Sequence, residues 1–267
     1  MISYSEKEVI LKAENVSLSF GDKQILHDVN FEIHDVTRAG VSQGQVVSLI
    51  GRSGIGKTQL FKICSGIMAP TKGIVKIGVE QKPVEAGDVG IVPQNYILFN
   101  HRSVFKNLLI ALDHSDRKLD EKQKKEIIDK HASDFDLSDH LSKYPMQLSG
   151  GQKQRVSILQ QILTGNKFIL LDEPFSGLDA IMVDKVIDLL VKISLMDELN
   201  TLIIVSHDIQ NSMAISDLVW VLAQDKNHQG ATIMEQVDLK KEGLAWRSDI
   251  RMDPLFQKQV DRVKSLI

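Results

Sequence analysis

The run Gly51-Arg52-Ser53-Gly54-Ile55-Gly56-Lys57-Thr58 fits G-x-x-x-x-G-K-[ST]. Glycines at these places let backbone N–H groups close on phosphate oxygens, and a helix starting behind them favours negative charge. In that chemistry Lys57 reaches the terminal phosphates and the Thr58 hydroxyl ligates Mg²⁺. A second group, Phe168-Ile169-Leu170-Leu171-Asp172-Glu173, is an apolar run ending in two carboxylates. At the C-terminal edge of a strand, Asp172 would serve a metal through water and Glu173 would polarise an attacking water. Taken alone, such a pair commonly caps a following helix. The third group, Leu148-Ser149-Gly150-Gly151-Gln152, precedes helical text with Val156, Leu159 and Leu163 on one face. Its hydroxyl and backbone donors make a second anion-type site or, by themselves, an N-cap with a flexible turn.

These groups need strands that end beside helix starts. Val46 to Ile50 is a short apolar run, followed by the glycines and a helical pattern at Leu60, Ile63 and Ile67; the order is strand, loop, helix. Phe168 to Leu171 and Leu202 to Val205 are further apolar runs, each preceded by a helical stretch. That alternation predicts an α/β fold with a mostly parallel sheet covered by helices on both faces. From Val9 to Ile33 apolar and polar residues alternate around a Gly21-Asp22 turn, the pattern of an N-terminal antiparallel β-layer. Asp113 to His140 is dense in charge, with Ile127, Ile128 and Phe135 as its apolar positions; it reads as part of a solvated helical subdomain inserted at about residues 95–165. The stretch from about Asp225 to Ile267 has mixed character.

Composition sets the remaining bounds. The 267 residues are 43% apolar and 25% charged, with a formal net charge of −3, the balance of an ordinary globular chain without a concentrated basic footprint. No nucleic-acid partner is therefore expected. Cys64 is the single cysteine, and the opening MISYSEKEVI lacks the basic and apolar regions of a signal peptide; both read as cytoplasmic. No apolar run approaches the ~18 residues of a membrane span, so any membrane role goes through a partner.

Together, Gly51 to Thr58, Gln94, Leu148 to Gln152, Asp172 with Glu173, Ser176-Gly177-Leu178-Asp179 and His207 resemble the ATP-binding subunit of ABC transporters across roughly residues 9 to 224. The resemblance implies a P-loop NTPase core that binds ATP and Mg²⁺ and hydrolyses ATP. It implies a head-to-tail homodimer, or a heterodimer with a paralogue, in which each nucleotide lies between the phosphate loop of one chain and Ser149, Gly150, Gly151 and Gln152 of the other. Phe20 matches the aromatic that stacks on adenine; read from its strand alone it is a core residue. Gln94 matches the glutamine that touches Mg²⁺ and the water, His207 the histidine at the γ-phosphate, and Asp179 a residue that crosses the dimer interface. Lys57, Gln94, Glu173 and His207 would be catalytic, and Thr58, Gln94 and Asp172 would hold the metal. Gly51 to Thr58, with Gln59, would surround the phosphates.

Three places depart from the family pattern. Gln59 stands where a second small hydroxyl is usual, a change expected to alter nucleotide affinity. His34 to Gln43 is longer than the usual strand connection and reads as an exposed loop. ILQQIL, Ile158 to Leu163, lacks the usual alanine and arginine. The 55 positions from Gln94 to Ser149 leave no room for the long coiled coils of DNA-repair relatives. The segments Leu98 to Leu108 and Tyr144 to Leu148 look like importer-type subunits, most similar to the nitrate, sulfonate and taurine group. The expected layout is an ATPase domain over 1–230 and a C-terminal extension over 231–267. Expected partners are a second ATP-binding subunit and a membrane permease, with a solute-binding protein beyond it, and the expected place is the cytoplasmic face of a membrane. A soluble assembly or repair ATPase, a non-hydrolysing binder, and a subunit of a lipid-transport or cell-division system are the alternatives.

Overall fold

The alternating N-terminal text forms two long strands, β1 (Tyr4–Phe20) and β2 (Lys23–Arg38), paired antiparallel from Tyr4↔Arg38 to Phe20↔Lys23. Gly21, at φ +57, makes the tight reversal between them, a conformation glycine adopts without steric cost. The computed structural model describes residues 4–38, 44–115, 117–196, 200–225, 227–247 and 249–267. The other strands are β3 (Gln45–Ile50), β4 (Lys72–Ile77), β5 (Lys82–Pro83), β6 (Gly90–Val92), β7 (Phe168–Asp172), β8 (Thr201–Ser206), β9 (Leu218–Gln224) and β10 (Ala231–Asp238). Among the described residues they form one sheet in the order β5-β4-β1-β2-β10-β9-β3-β8-β7-β6. The run β9-β3-β8-β7-β6 is parallel throughout. Every residue of β3 and β8 is buried, as an apolar strand covered on both faces requires.

Helices cover this block. α1 (Lys57–Cys64) packs Leu60, Phe61 and Ile63 into the core it shares with β1, β2 and β4. α2 (Val104–Asp113), α3 (Glu121–Asp134), α4 (Gly150–Leu163) and α5 (Ala180–Met196) build a second core, with Ile128, Phe135 and Leu159 fully enclosed. α6 (Ile209–Ala214) and α7 (Pro254–Leu266) close the third, where Phe256, Val260 and Val263 meet Ile50, Val219 and Val221. The 230/231 division expected from the sequence falls between β9 and β10, which are hydrogen-bonded neighbours from Ala231↔Gln224 to Asp238↔Leu218.

Two local expectations are corrected. Residues 34–38 are not loop: β2 continues through them to Arg38, while 39–43 lie outside the described residues. The cause is a buried ion pair. Arg38 Nη2 donates to Asp217 Oδ1 at 2.6 Å with both side chains at 0% exposure, and Asp217 also accepts from Val46 N–H and the Trp246 indole. Ile67 is not on α1 but 57% exposed beyond it. The helix stops at Cys64 because Gly66 turns left-handed against the backbone of Glu85 and Ala86, where a Cβ would approach within 2.4 Å.

Candidate functional site

Four adjacent parallel strands, β3, β8, β7 and β6, end on the same edge of the sheet, where an open α/β sheet presents its ligand site. The glycine loop follows β3, His207 follows β8, Asp172 closes β7 with Glu173 next, and Gln94 follows β6. Residues distant in sequence are thereby delivered to one place.

The loop turns from Ile50 into α1. A Cβ on Gly51 would come within 2.5 Å of the Leu222 carbonyl oxygen, and Gly56 sits at φ +114 as the N-cap of α1. Neither position accepts an ordinary side chain without strain. The N-cap supplies no side-chain hydrogen bond and the first turn carries no acid, so the N–H groups and positive dipole end of α1 stay available to an anion. Lys57 folds back inside the loop, 6% exposed, donating to the carbonyls of Gly51 at 2.8 Å and Arg52 at 3.0 Å. Its ammonium lies 3.5 Å from Glu173 Oε1.

Glu173 has φ +52, uncommon for a residue with a Cβ. Its N–H donates to Val205 at 2.8 Å, and its Oε2 accepts from His207 Nδ1–H at 2.7 Å and from the His207 backbone N–H at 3.2 Å. The carboxylate is thus tied to the ends of two strands. Asp172, beside it, is half-buried. Burial raises its carboxyl above the usual range, the Glu173 charge adds to this, and Lys57 and Lys62 oppose it. Its Oδ1 is buried without a hydrogen-bond partner. An ionised oxygen in that state is stabilised by a cation, and the nearby oxygen donors of Thr58 and Gln94 suit a hard one. Gln94 is held by its amide nitrogen, which donates to Ser176 Oγ at 3.2 Å.

The result is a cleft of about 540 Å³ whose walls include Phe20, Ser53, Lys57, Thr58, Asp172 and Glu173. Gly54, Gly56, Gln59 and Gln94 also line it, while His207 reaches it through Glu173. Phe20 is 52% exposed, so the core placement expected from its strand alone is corrected. The Phe20-Gly21 turn carries its ring out of the sheet to the cleft wall. Gln59 Oε1 is another buried oxygen without a partner. Lys23 and Ile25 of β2 line the cleft as well. Sequence reasoning missed them, although a two-residue turn after Phe20 sets Lys23 directly opposite it. Gly51 is buried beneath the loop, Ile55 is half-buried and Arg52 is exposed beside it.

Ser149, Gly150, Gly151 and Gln152 are not brought to this cleft. Ser149 caps α4 in a reciprocal pair: Gln152 N–H donates to Ser149 Oγ at 3.3 Å, and Ser149 N–H donates to Gln152 Oε1 at 2.8 Å. Gln152 Nε2 donates on to His140 at 2.9 Å. Asp179 likewise caps α5 through Met182 N–H at 2.9 Å. A wider cleft, about 780 Å³, lies on the antiparallel layer. Its lysines pair with its own acids, Lys12 with Glu14 and Glu32, Lys240 with Glu6 and Lys241 with Asp238.

A glycine loop at the C-terminal end of an inner strand of a parallel block is the architecture of a phosphate-loop α/β cassette. The chain belongs to the ABC transporter family, whose model matches residues 34–176. It is 37% identical over 226 residues to the spermidine/putrescine import ATP-binding protein PotA of Fusobacterium nucleatum, covering 83% of this chain and 57% of that one. It is 33% identical over 225 residues to the sulfate/thiosulfate import ATP-binding protein CysA of a Synechocystis species, covering 83% of this chain and 60% of the relative. The chain therefore spans about three-fifths of the length of these relatives. Among solved structures, cbiO1 from Clostridium perfringens, described as part of the ABC transporter complex cbiONQ, is 26% identical with a TM-score of 0.74, covering 97% of this chain and all of that one. Among the described residues no helix is long and apolar enough to cross a membrane.

Proposed function

We propose that this chain binds and hydrolyses ATP and drives solute import through a membrane permease at the cytoplasmic face. The observation that carries the reading is the buried Lys57 ammonium at the mouth of the glycine loop, 3.5 Å from a Glu173 carboxylate that is itself fixed by His207. Glu173 and two carbonyls balance the lysine. An entering triphosphate takes their place as its counter-charge, and the loop N–H groups with the dipole of α1 hold the remaining phosphate oxygens. Phe20 offers its exposed face to the adenine.

Thr58, Asp172 and Gln94 hold Mg²⁺, and the unpartnered Asp172 oxygen supports that assignment. The cation neutralises phosphate charge when bound. Glu173, freed from Lys57, orients water on the γ-phosphate, and His207 steadies the carboxylate and then the developing charge.

Ser149 to Gln152 stand off the cleft of their own chain, which favours completion of each site by a second ATP-binding subunit, a second copy of this chain or a paralogue. Closing two such faces on ATP and reopening them after hydrolysis supplies the two states that a permease reads. The names of the relatives, import ATP-binding proteins for spermidine/putrescine and for sulfate/thiosulfate, favour import, and a solute-binding protein upstream is part of the same proposal. Affinity purification from native membranes in mild detergent tests this. An integral membrane subunit in stoichiometric amount is expected; recovery with soluble proteins or nucleic acid alone moves the function to assembly or repair.

A further inference from the structure

Away from the nucleotide cleft, the turn between β9 and β10 meets β2 and brings His27, Asp225 and His228 together. One nitrogen of each imidazole and one carboxylate oxygen of Asp225 lie within 4.8 Å of one another. The two rings stack with centroids 4.4 Å apart and planes 22° from parallel. We propose that these three side chains form a binding site for a divalent transition cation of the zinc type, clamping the β9–β10 turn to β2.

The chemistry of the donors selects the ion. Two imidazoles and one carboxylate are the ligands of borderline metals such as Zn²⁺, whereas Mg²⁺ prefers oxygens and retains its water. The carboxylate is already oriented. Asp225 Oδ1 accepts from Asn227 N–H at 2.9 Å, and Oδ2 accepts from His228 Nδ1–H at 2.7 Å. Binding a cation here releases the proton that His228 Nδ1 shares with Asp225, so the metal takes its place between ring and carboxylate. The Gln24 side-chain N–H donates to His27 Nδ1 at 3.1 Å, a bond that positions the second ring and gives way when His27 turns its lone pair to the metal.

The backbone beneath sets the spacing. Ala231 pairs with Leu26 of β2 on one side and with Gln224 of β9 on the other. Gly230, at φ +97, packs so closely that a Cβ would lie 3.3 Å from the His27 Cβ. Nitrogens bound tetrahedrally at ~2.0–2.1 Å from zinc stand about 3.3 Å apart. The site therefore needs up to about 1.5 Å of contraction, which the exposed His228 side chain supplies by rotation. The remaining coordination positions face solvent. The neighbouring β2 residues Lys23 and Ile25 line the nucleotide cleft, so a cation here stiffens that wall without touching the phosphate loop.

The test titrates the full-length chain, stripped with a chelator, with Zn²⁺ alone by calorimetry and with Co²⁺ alone by visible absorption. One equivalent is expected to bind. His27→Ala and His228→Ala should each weaken binding about tenfold or more, as loss of a ligand or its orienting partner does, while His114→Ala, remote on α2, leaves it unchanged. Zn²⁺ should raise the melting temperature of the wild type and not that of the His27→Ala/His228→Ala double variant, a readout independent of any variant's own stability. Equal Zn²⁺ binding by wild type and double variant overturns the proposal. So does displacement of Zn²⁺ by millimolar Mg²⁺.

Discussion

Replacing Asp217 by alanine removes one carboxylate from a fully buried site. Its Oδ1 accepts from the Arg38 guanidinium at 2.6 Å and from Trp246 Nε1 at 2.8 Å, and its Oδ2 accepts from the Val46 N–H at 2.9 Å. Breaking a buried pair by deleting one partner costs about 3–5 kcal/mol, and leaving the buried Val46 N–H unsatisfied adds about 1–3 kcal/mol. The total is on the order of 4–8 kcal/mol. At roughly 2–4 °C per kcal/mol for a chain of this size, melting should fall by about 10–30 °C. The assay is calorimetric or circular-dichroism melting of the nucleotide-free protein at neutral pH. An Arg38→Met/Asp217→Asn double variant removes the charge while keeping an oxygen for Val46, and it should melt well above Asp217→Ala. A fall under about 5 °C for Asp217→Ala, or a double variant no better than the single one, would refute the view that this pair binds the end of β2 to the start of β9.

Three further outcomes concern the cleft. Glu173→Gln keeps the shape of the acceptor but not its charge; ATP binding should persist while turnover falls by about 10²–10⁴ and an ATP-bound dimer accumulates on size exclusion, and unchanged turnover would remove Glu173 from the base role. Lys57→Ala should abolish nucleotide affinity measured by equilibrium binding; retained tight binding would count against the phosphate-loop reading. Asp172→Asn should raise the melting temperature of the nucleotide-free protein near neutral pH. The folded-state carboxyl of Asp172 sits above its unfolded value, so its ionisation costs stability at every pH above that raised value, and the amide escapes the cost; the same variant should lose the Mg²⁺ dependence of ATP binding.

Local chemistry was readable and long-range geometry was not. The glycine loop, the buried β3 and the acidic end of β7 each carry their pattern within a few residues, so type and spacing sufficed. The stop of α1 before Ile67 depends on Gly66 meeting Glu85, and the persistence of β2 to Arg38 depends on Asp217, far along the chain. β10 was equally hidden. Its burial alternates only in part, and its place between β2 and β9 is set by neighbours more than its own text. Lys23 and Ile25 reach the cleft only because the sheet carries β2 alongside the phosphate loop. His27 and His228, two hundred positions apart, offered no spacing to read.

The sheet has one thin seam. Among the described residues β10 registers with β9 along its whole length but with β2 only at Ala231↔Leu26. Cooperative opening divides a protein where pairing is sparse, so amide hydrogen exchange should separate the ribbon of β1 and β2 from the slower β3 and β8. The phosphate loop belongs to the slow unit and the Phe20 turn to the fast one. On the proposed reading a triphosphate would be gripped by a stiff hand and its base by a loose one, and such a cassette should distinguish the number of phosphates more sharply than the identity of the base.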